Sequence, residues 1–93
     1  MSRKFEWDHE KAESNLAKHG VTFFEAMSVF RDKLSIRIVD TEHSDEELRY
    51  ALVGMSSRLR LLVVVYTLRP SRIRIISARR ATKNERRNYE ELD

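Results

Sequence analysis

The run Leu61-Leu62-Val63-Val64-Val65-Tyr66 constrains this chain more than any other feature. A half-exposed strand alternates apolar with polar side chains, so a run that is apolar at both parities has to be covered on both faces. It is therefore read as the central strand of a sheet, and the remaining elements fall into place around it. The run is also far short of the roughly 18 to 20 apolar residues needed to span a bilayer.

Period-two alternation appears on both sides of this centre. Leu34, Ile36 and Ile38 alternate with Ser35, Arg37 and Val39, and an acidic loop from Asp40 to Glu47 follows. Arg49 to Met55, Leu59 to Arg69 and Ile73 to about Arg79 read as further strands, separated by Ser56-Ser57 and Pro70-Ser71. Spacings this short join antiparallel neighbours, which predicts a four-stranded meander.

The ends of the chain change period. Phe5 and Trp7 read as a short edge strand ahead of Asp8, a natural N-cap for a helix that ends at His19-Gly20, with Ala12, Leu16 and Ala17 as its apolar stripe. Thr22 with Glu25 forms a capping-box pattern opening a second helix, on which Phe23, Ala26, Met27 and Phe30 share one face. Thr82 with Glu85 repeats the pattern before a short helix carrying Tyr89 and Leu92. The predicted fold class is α+β: a short N-terminal strand, two helices packed on one face of an antiparallel meander, and a short C-terminal helix.

At 93 residues the chain is expected to form a single domain, 1–93, with a small core. It has no cysteine, so neither disulfides nor thiolate zinc sites are expected. Residues 1–8 lack the apolar stretch of a signal peptide, and the expected setting is soluble and cytoplasmic.

Charge is unevenly distributed. Acids outnumber bases eleven to seven in residues 1–47, whereas bases outnumber acids eleven to four in residues 48–93. Between Arg58 and Arg87 ten basic residues face a single acid, Glu85, and nine of the ten are arginines. The guanidinium fork grips phosphate through two donors at once, so this half of the chain is a candidate for polyanion binding. Arg69, Arg72, Arg74, Arg79 and Arg80 lie on two strands joined by a tight turn. Strict alternation places Arg79 with Ile73, Ile75 and Ser77, and Arg80 on the other face with Arg72, Arg74 and Ile76.

Other chemistries find less support. His9, His19 and His43 are scattered, and the acidic loop lacks the glycine and fixed spacing of a calcium site, so no metal and no cofactor is expected. Two glycines, Gly20 and Gly54, cannot build a glycine-rich phosphate loop. No nucleophile with a partnered base is identifiable. Phe5, Trp7, Phe23, Phe24 and Phe30 read mostly as core rather than as a base-stacking platform, and Tyr66 as core rather than as a catalytic phenol.

Several separated motifs nevertheless agree with one family. Phe5-Glu6-Trp7-Asp8 with Lys11 and Asn15, Lys18-His19-Gly20-Val21 with Phe23, Glu25 and Ala26, then His43, Glu47, Arg49 and Gly54, and finally Arg74-Ile75-Ile76-Ser77-Ala78-Arg79-Arg80-Ala81 with Glu85-Arg86 and Tyr89 resemble the BrnT toxins. The resemblance spans nearly the whole chain. It implies a RelE-like fold, a ribonuclease activity that arrests translation, neutralisation by a cognate BrnA-type antitoxin covering the basic face, and promoter DNA binding only through the antitoxin complex.

A metal-free ribonuclease has to deprotonate a 2′-hydroxyl, tolerate extra charge on the phosphate and protonate the leaving 5′-oxygen. Arginine, charged at every accessible pH, serves only the second need, where each preorganised donor contributes about 10² to 10³ in rate. Arg79 and Arg80 are the first candidates for that role, with Arg69, Arg74, Arg49 and Lys18 as phosphate contacts. For the proton carrier the sequence leaves Glu47, His19 and His43 open. Glu47 also reads as a partner for Arg49, and His19 reads first as a cap in the last helical turn, where an imidazolium favours the helix dipole. Two further functions use the same arginines without proton transfer: a noncatalytic RNA- or DNA-binding module, and a subunit whose basic face meets an acidic protein.

Overall fold

The computed structural model describes residues 4–41 and 47–91. His43 and Leu92 lie outside these residues. Among the described residues five strands form one sheet: β1 (Lys4–Glu6), β2 (Ile36–Asp40), β3 (Arg49–Met55), β4 (Leu61–Arg69) and β5 (Arg72–Arg80). Their spatial order is β1-β5-β4-β3-β2, with β2 to β5 an antiparallel meander and β1 parallel to β5. The doubly apolar β4 is the middle strand. Three helices of the described residues complete the α+β fold: α1 (His9–His19), α2 (Phe23–Val29) and α3 (Lys83–Glu91). None is long and apolar enough to cross a membrane.

Both faces of the sheet are covered, unequally. On the first face Leu52, Leu62, Val64, Tyr66, Ile73, Ile75 and Ala78 pack against Val21 and against Phe23, Ala26 and Val29 of α2. Gly54 belongs to this side: a Cβ there would stand 2.9 Å from Val29 Cγ1 and 3.0 Å from Ser35 Cβ, so only glycine lets α2 approach β3 this closely. Tyr66 is buried here, between the rings of Phe30 and Tyr50 at 5.0 and 5.4 Å. On the second face Val53, Leu61 and Val63 meet Tyr89 of α3, which covers only part of the surface.

Four sequence expectations need correction. The stripe of α1 is turned: Leu16 is 47% exposed, and Asn15, 7% exposed, is the buried position. The cause lies in β5, whose residues beyond Arg74 have no strand partner on the β1 side among the described residues. The Asn15 carboxamide acts as that partner, accepting from Ala78 N–H at 3.1 Å and donating to Ala78 C=O at 2.8 Å and Val21 C=O at 3.0 Å. Second, β4 begins at Leu61 rather than Leu59. The Ser56 hydroxyl accepts from the N–H groups of Arg58 and Arg60 and holds residues 56–60 in a turn, with Leu59 at φ 60°. Likewise β2 begins at Ile36 because Asp32 draws the Leu34 N–H into a turn at 3.0 Å.

The fourth correction concerns the arginines. Val65 pairs with Ser77 while Tyr66 pairs with Ile75, which leaves Ile76 as an extra residue, a β-bulge. The bulge resets the alternation: Arg79 pairs across from Val63 and shares its face with Ser77, Arg74 and Arg72, whereas Arg80 follows Ala78, Ile75 and Ile73 on the helix-covered side. Strict parity had divided the residues differently. Finally Phe24, unlike the other aromatic side chains of the core, is exposed, and meets the Trp7 ring edge-on at 5.1 Å.

Candidate functional site

The uncovered part of the second face is a groove of about 440 Å³. Its floor is apolar, made by Ala51, Val53, Val63 and Val65, and its charged rim holds Arg49, Arg79, Asp40 and Glu85. Arg79 reaches this rim because it follows the bulge on β5, and Glu85 because it stands at the third position of α3.

These two side chains form a forked pair. Arg79 Nη1 donates to Glu85 Oε1 and Nη2 to Oε2, each at 2.8 Å, and Nη1 also donates to the Arg80 carbonyl at 3.2 Å. Glu85 is held from behind by its own helix: it accepts from the Thr82 N–H at 2.8 Å while Thr82 Oγ1 accepts from the Glu85 N–H at 3.2 Å, a complete capping box. The Arg79 guanidinium, ahead of the burial that opposes it, pulls the Glu85 carboxyl down to about 2. The same pair raises the Arg79 pKa further. A carboxyl that remains ionised to such acidity is a permanent anion at neutral pH and carries no proton there. Arg79 thus presents a bidentate fork, oriented and desolvated on one side, with an anion already in it.

The other predicted residues separate into groups. Arg49 lines the same groove. Arg80 is exposed on the opposite side of β5. Arg69 pairs with Glu47 at 2.9 Å, and Arg74 with Glu6 at 2.9 Å. Both pairs stand at the far end of the sheet, since Arg69 lies six residues along β4 from Val63, about 20 Å at ordinary strand rise. Glu47 is therefore brought to Arg69 and not to Arg79. Lys18 and His19 line a second, smaller cleft of about 210 Å³ between α1 and β5. Among the described residues no three His, Asp or Glu side chains are grouped to hold a metal ion.

Sequence reasoning missed two features. The Arg79–Glu85 fork was visible only as a capping box, because the strand partner of its glutamate depends on the bulge. Arg60, one arginine of the basic run, turned out to be internal: it pairs with the buried Glu25 and donates to the Gly20 carbonyl at 3.1 Å.

The order and placement of these elements agree with known proteins. The sequence profile of the ribonuclease toxins, BrnT, of type II toxin-antitoxin systems matches residues 7–85. The chain belongs to the BrnT family. The 1.1 Å crystal structure of the Brucella abortus ribonuclease toxin BrnT is similar to this fold, with a TM-score of 0.65 and 26% identity over 88% of this chain and 100% of that one. No curated protein sequence matches the chain. The BrnT profile spans α1, α2, strands β2 to β5 and the Arg79–Glu85 fork, so the described lining of the groove lies within the matched residues.

Proposed function

We propose that this BrnT-family protein is a metal-independent endoribonuclease whose scissile phosphate is bound by Arg79. The observation that carries this reading is the carboxylate fork: a guanidinium fixed in bidentate contact with Glu85, at the rim of an open groove, has the geometry and charge to take a phosphodiester in the carboxylate's place. Arg49 on the same rim supplies further positive charge for the phosphate, whereas Arg80, on the opposite side of β5, stands outside the groove. Because arginine cannot carry a proton at neutral pH, the acid–base work falls to another group. His19, whose cleft shares Ile76 and Ser77 with the groove, is the nearest predicted proton carrier by that measure. Glu47 with Arg69 and Arg74 serve the RNA farther along the sheet. In the cell the cleavage arrests translation in the cytoplasm, a BrnA-type antitoxin neutralises it by covering the basic face, and promoter DNA is bound only by that complex.

Purified protein incubated with single-stranded RNA in EDTA tests the reading. Cleavage that Arg79→Ala abolishes, with the circular dichroism spectrum unchanged, is the expected result. RNA binding that falls steeply between about 50 and 200 mM salt, yet with no cleavage at high protein concentration, would replace the enzyme by a binding module.

A further inference from the structure

The two clefts beside β5 have different electrostatics. The groove mixes cations with Asp40 and Glu85, whereas the charged lining of the α1 cleft is two lysines, Lys11 and Lys18, accompanied by Ser14, Asn15, His19 and Ser77. Lys11 and Lys18 stand seven residues apart on α1, two turns, so their backbones are about 10 Å apart along one side of the helix. That separation gives two distinct anion contacts. An apolar partner surface would find little here, since Ile76 is the cleft's one large aliphatic lining residue.

The clefts also share a border. Ile76 and Ser77 line both, one on each side of β5. A neighbouring strand would ordinarily close that border, but among the described residues β1 pairs with Arg72, Ile73 and Arg74 and goes no farther. Past them the edge of β5 is met by the Asn15 carboxamide at Ala78 and interrupted by the bulge at Ile76. A chain can therefore cross the edge without displacing a strand.

We infer that Lys11 and Lys18 form a phosphate-binding subsite for the RNA that flanks the scissile phosphate, the strand crossing the edge of β5 at Ile76-Ser77 from the groove into the α1 cleft. This rests on the ribonuclease reading above and extends it by a binding residue, Lys11, and by a path. The occupant is RNA rather than an acidic protein segment because the cleft is continuous with the groove, polar and cationic, and offers no apolar anchor.

Oligonucleotides of two lengths test the path. A trinucleotide with a non-cleavable 2′-O-methyl at the scissile position fills the groove alone, and a nonanucleotide extends beyond it on both sides. Binding to wild type is expected to tighten from the short to the long oligonucleotide. Lys11→Gln, which keeps most of the aliphatic stem on an exposed position, should remove several-fold of that gain and lower the salt slope for the nonanucleotide by about 0.7, the value for one single-strand phosphate contact. Lys33→Gln, an exposed lysine on the α2–β2 loop, is the control for net charge. The inference is overturned if Lys11→Gln and Lys33→Gln act alike, if Lys11→Gln weakens both lengths equally, or if it weakens only an acidic protein partner. Cleavage by wild type in that case leaves the ribonuclease reading standing, whereas absence of cleavage in every sample removes both.

Discussion

Two helices of this protein start with the same device and use it for opposite ends. In each, a threonine N-cap is followed three residues later by a glutamate, and in each the glutamate is gripped by an arginine from the sheet side. At α2 the pair is internal: Glu25, 3% exposed in its side chain, receives Ser56 Oγ at 2.7 Å and both Arg60 Nε, at 2.9 Å, and Arg60 Nη2. The glutamate has left its own helix to do so. Thr22 still accepts from the Glu25 N–H at 3.0 Å, but the carboxylate faces the β3–β4 turn. At α3 both halves of the box form, and the Arg79–Glu85 pair stands 41% and 28% exposed at the rim of the groove. Burial separates a fastener from a site. A charge pair sealed in the protein cannot exchange partners without leaving an ion in a poor dielectric, whereas one at an open rim can trade its carboxylate for another anion with water filling behind.

The largest expected difference follows directly. Arg79→Ala is predicted to lower the cleavage rate by about 10² to 10³ while costing only the share of its half-exposed pair with Glu85, about 1 to 2 kcal/mol, and Arg79→Lys to recover only part of the rate, because an ammonium is a point charge without the fork. Arg60→Ala is predicted to do the reverse. It leaves Glu25 charged and buried, costs about 3 kcal/mol and lowers Tm by about 10 to 20 °C, while cleavage per folded molecule stays the same. Single-turnover rates and thermal melts on the two variants decide this. Equal losses of activity in both would erase the distinction between fastener and site.

What the sequence made legible, and what it hid, divides along the same line. Local signals were sufficient for the elements: the caps Asp8, Thr22 and Thr82, the left-handed Gly20, and the doubly apolar β4 placed at the centre of the sheet. These depend on neighbours within a few residues. The facing of the arginines depends instead on one unpaired residue, Ile76, whose apolar character gives no sign that it interrupts the ladder. A single extra residue moved Arg72 and Arg74 to the side of Arg79 and sent Arg80 away. The buried Asn15 was hidden for a similar reason, since a polar residue on a helix reads as outward until a strand edge with unmet backbone groups is found beside it. The pairing of Glu47 with Arg69 rather than Arg49 is again a matter of register, not of sequence spacing.

Acid should act on both glutamates, with an effect smaller than that of either arginine. Each carboxyl is held below its ordinary value, Glu25 chiefly by Arg60 and Glu85 chiefly by Arg79, the latter to about 2. A carboxyl depressed in the folded state contributes stability that is complete above its unfolded value near 4.5 and fades as pH falls toward its folded value. For Glu85 the window runs from about 4.5 to about 2. Allowing for the half-exposed partner, its share is about 1 to 2 kcal/mol. Glu85→Gln should therefore reduce neutral-pH stability by that amount and flatten the loss between pH 5 and 2 in denaturant titrations. A pH profile as steep as that of wild type would show that other carboxylates carry the effect.

The finest test compares the threonines. Thr22→Ala and Thr82→Ala each remove one N-cap acceptor and should cost about 1 kcal/mol, similar in size because the lost hydrogen bond is the same. Their effects on RNA should differ. Thr82 fixes the first turn of α3 and through it the Glu85 carboxylate that orients Arg79, so its loss should shift KM by a few-fold with kcat less affected. Thr22 has no contact with the groove, and its loss should leave KM where it was. Because both variants weaken the fold alike, any general softening would move the two values together. A shift confined to Thr82→Ala therefore reports on the fork itself, and a shift shared by both would mean that α3 positions nothing.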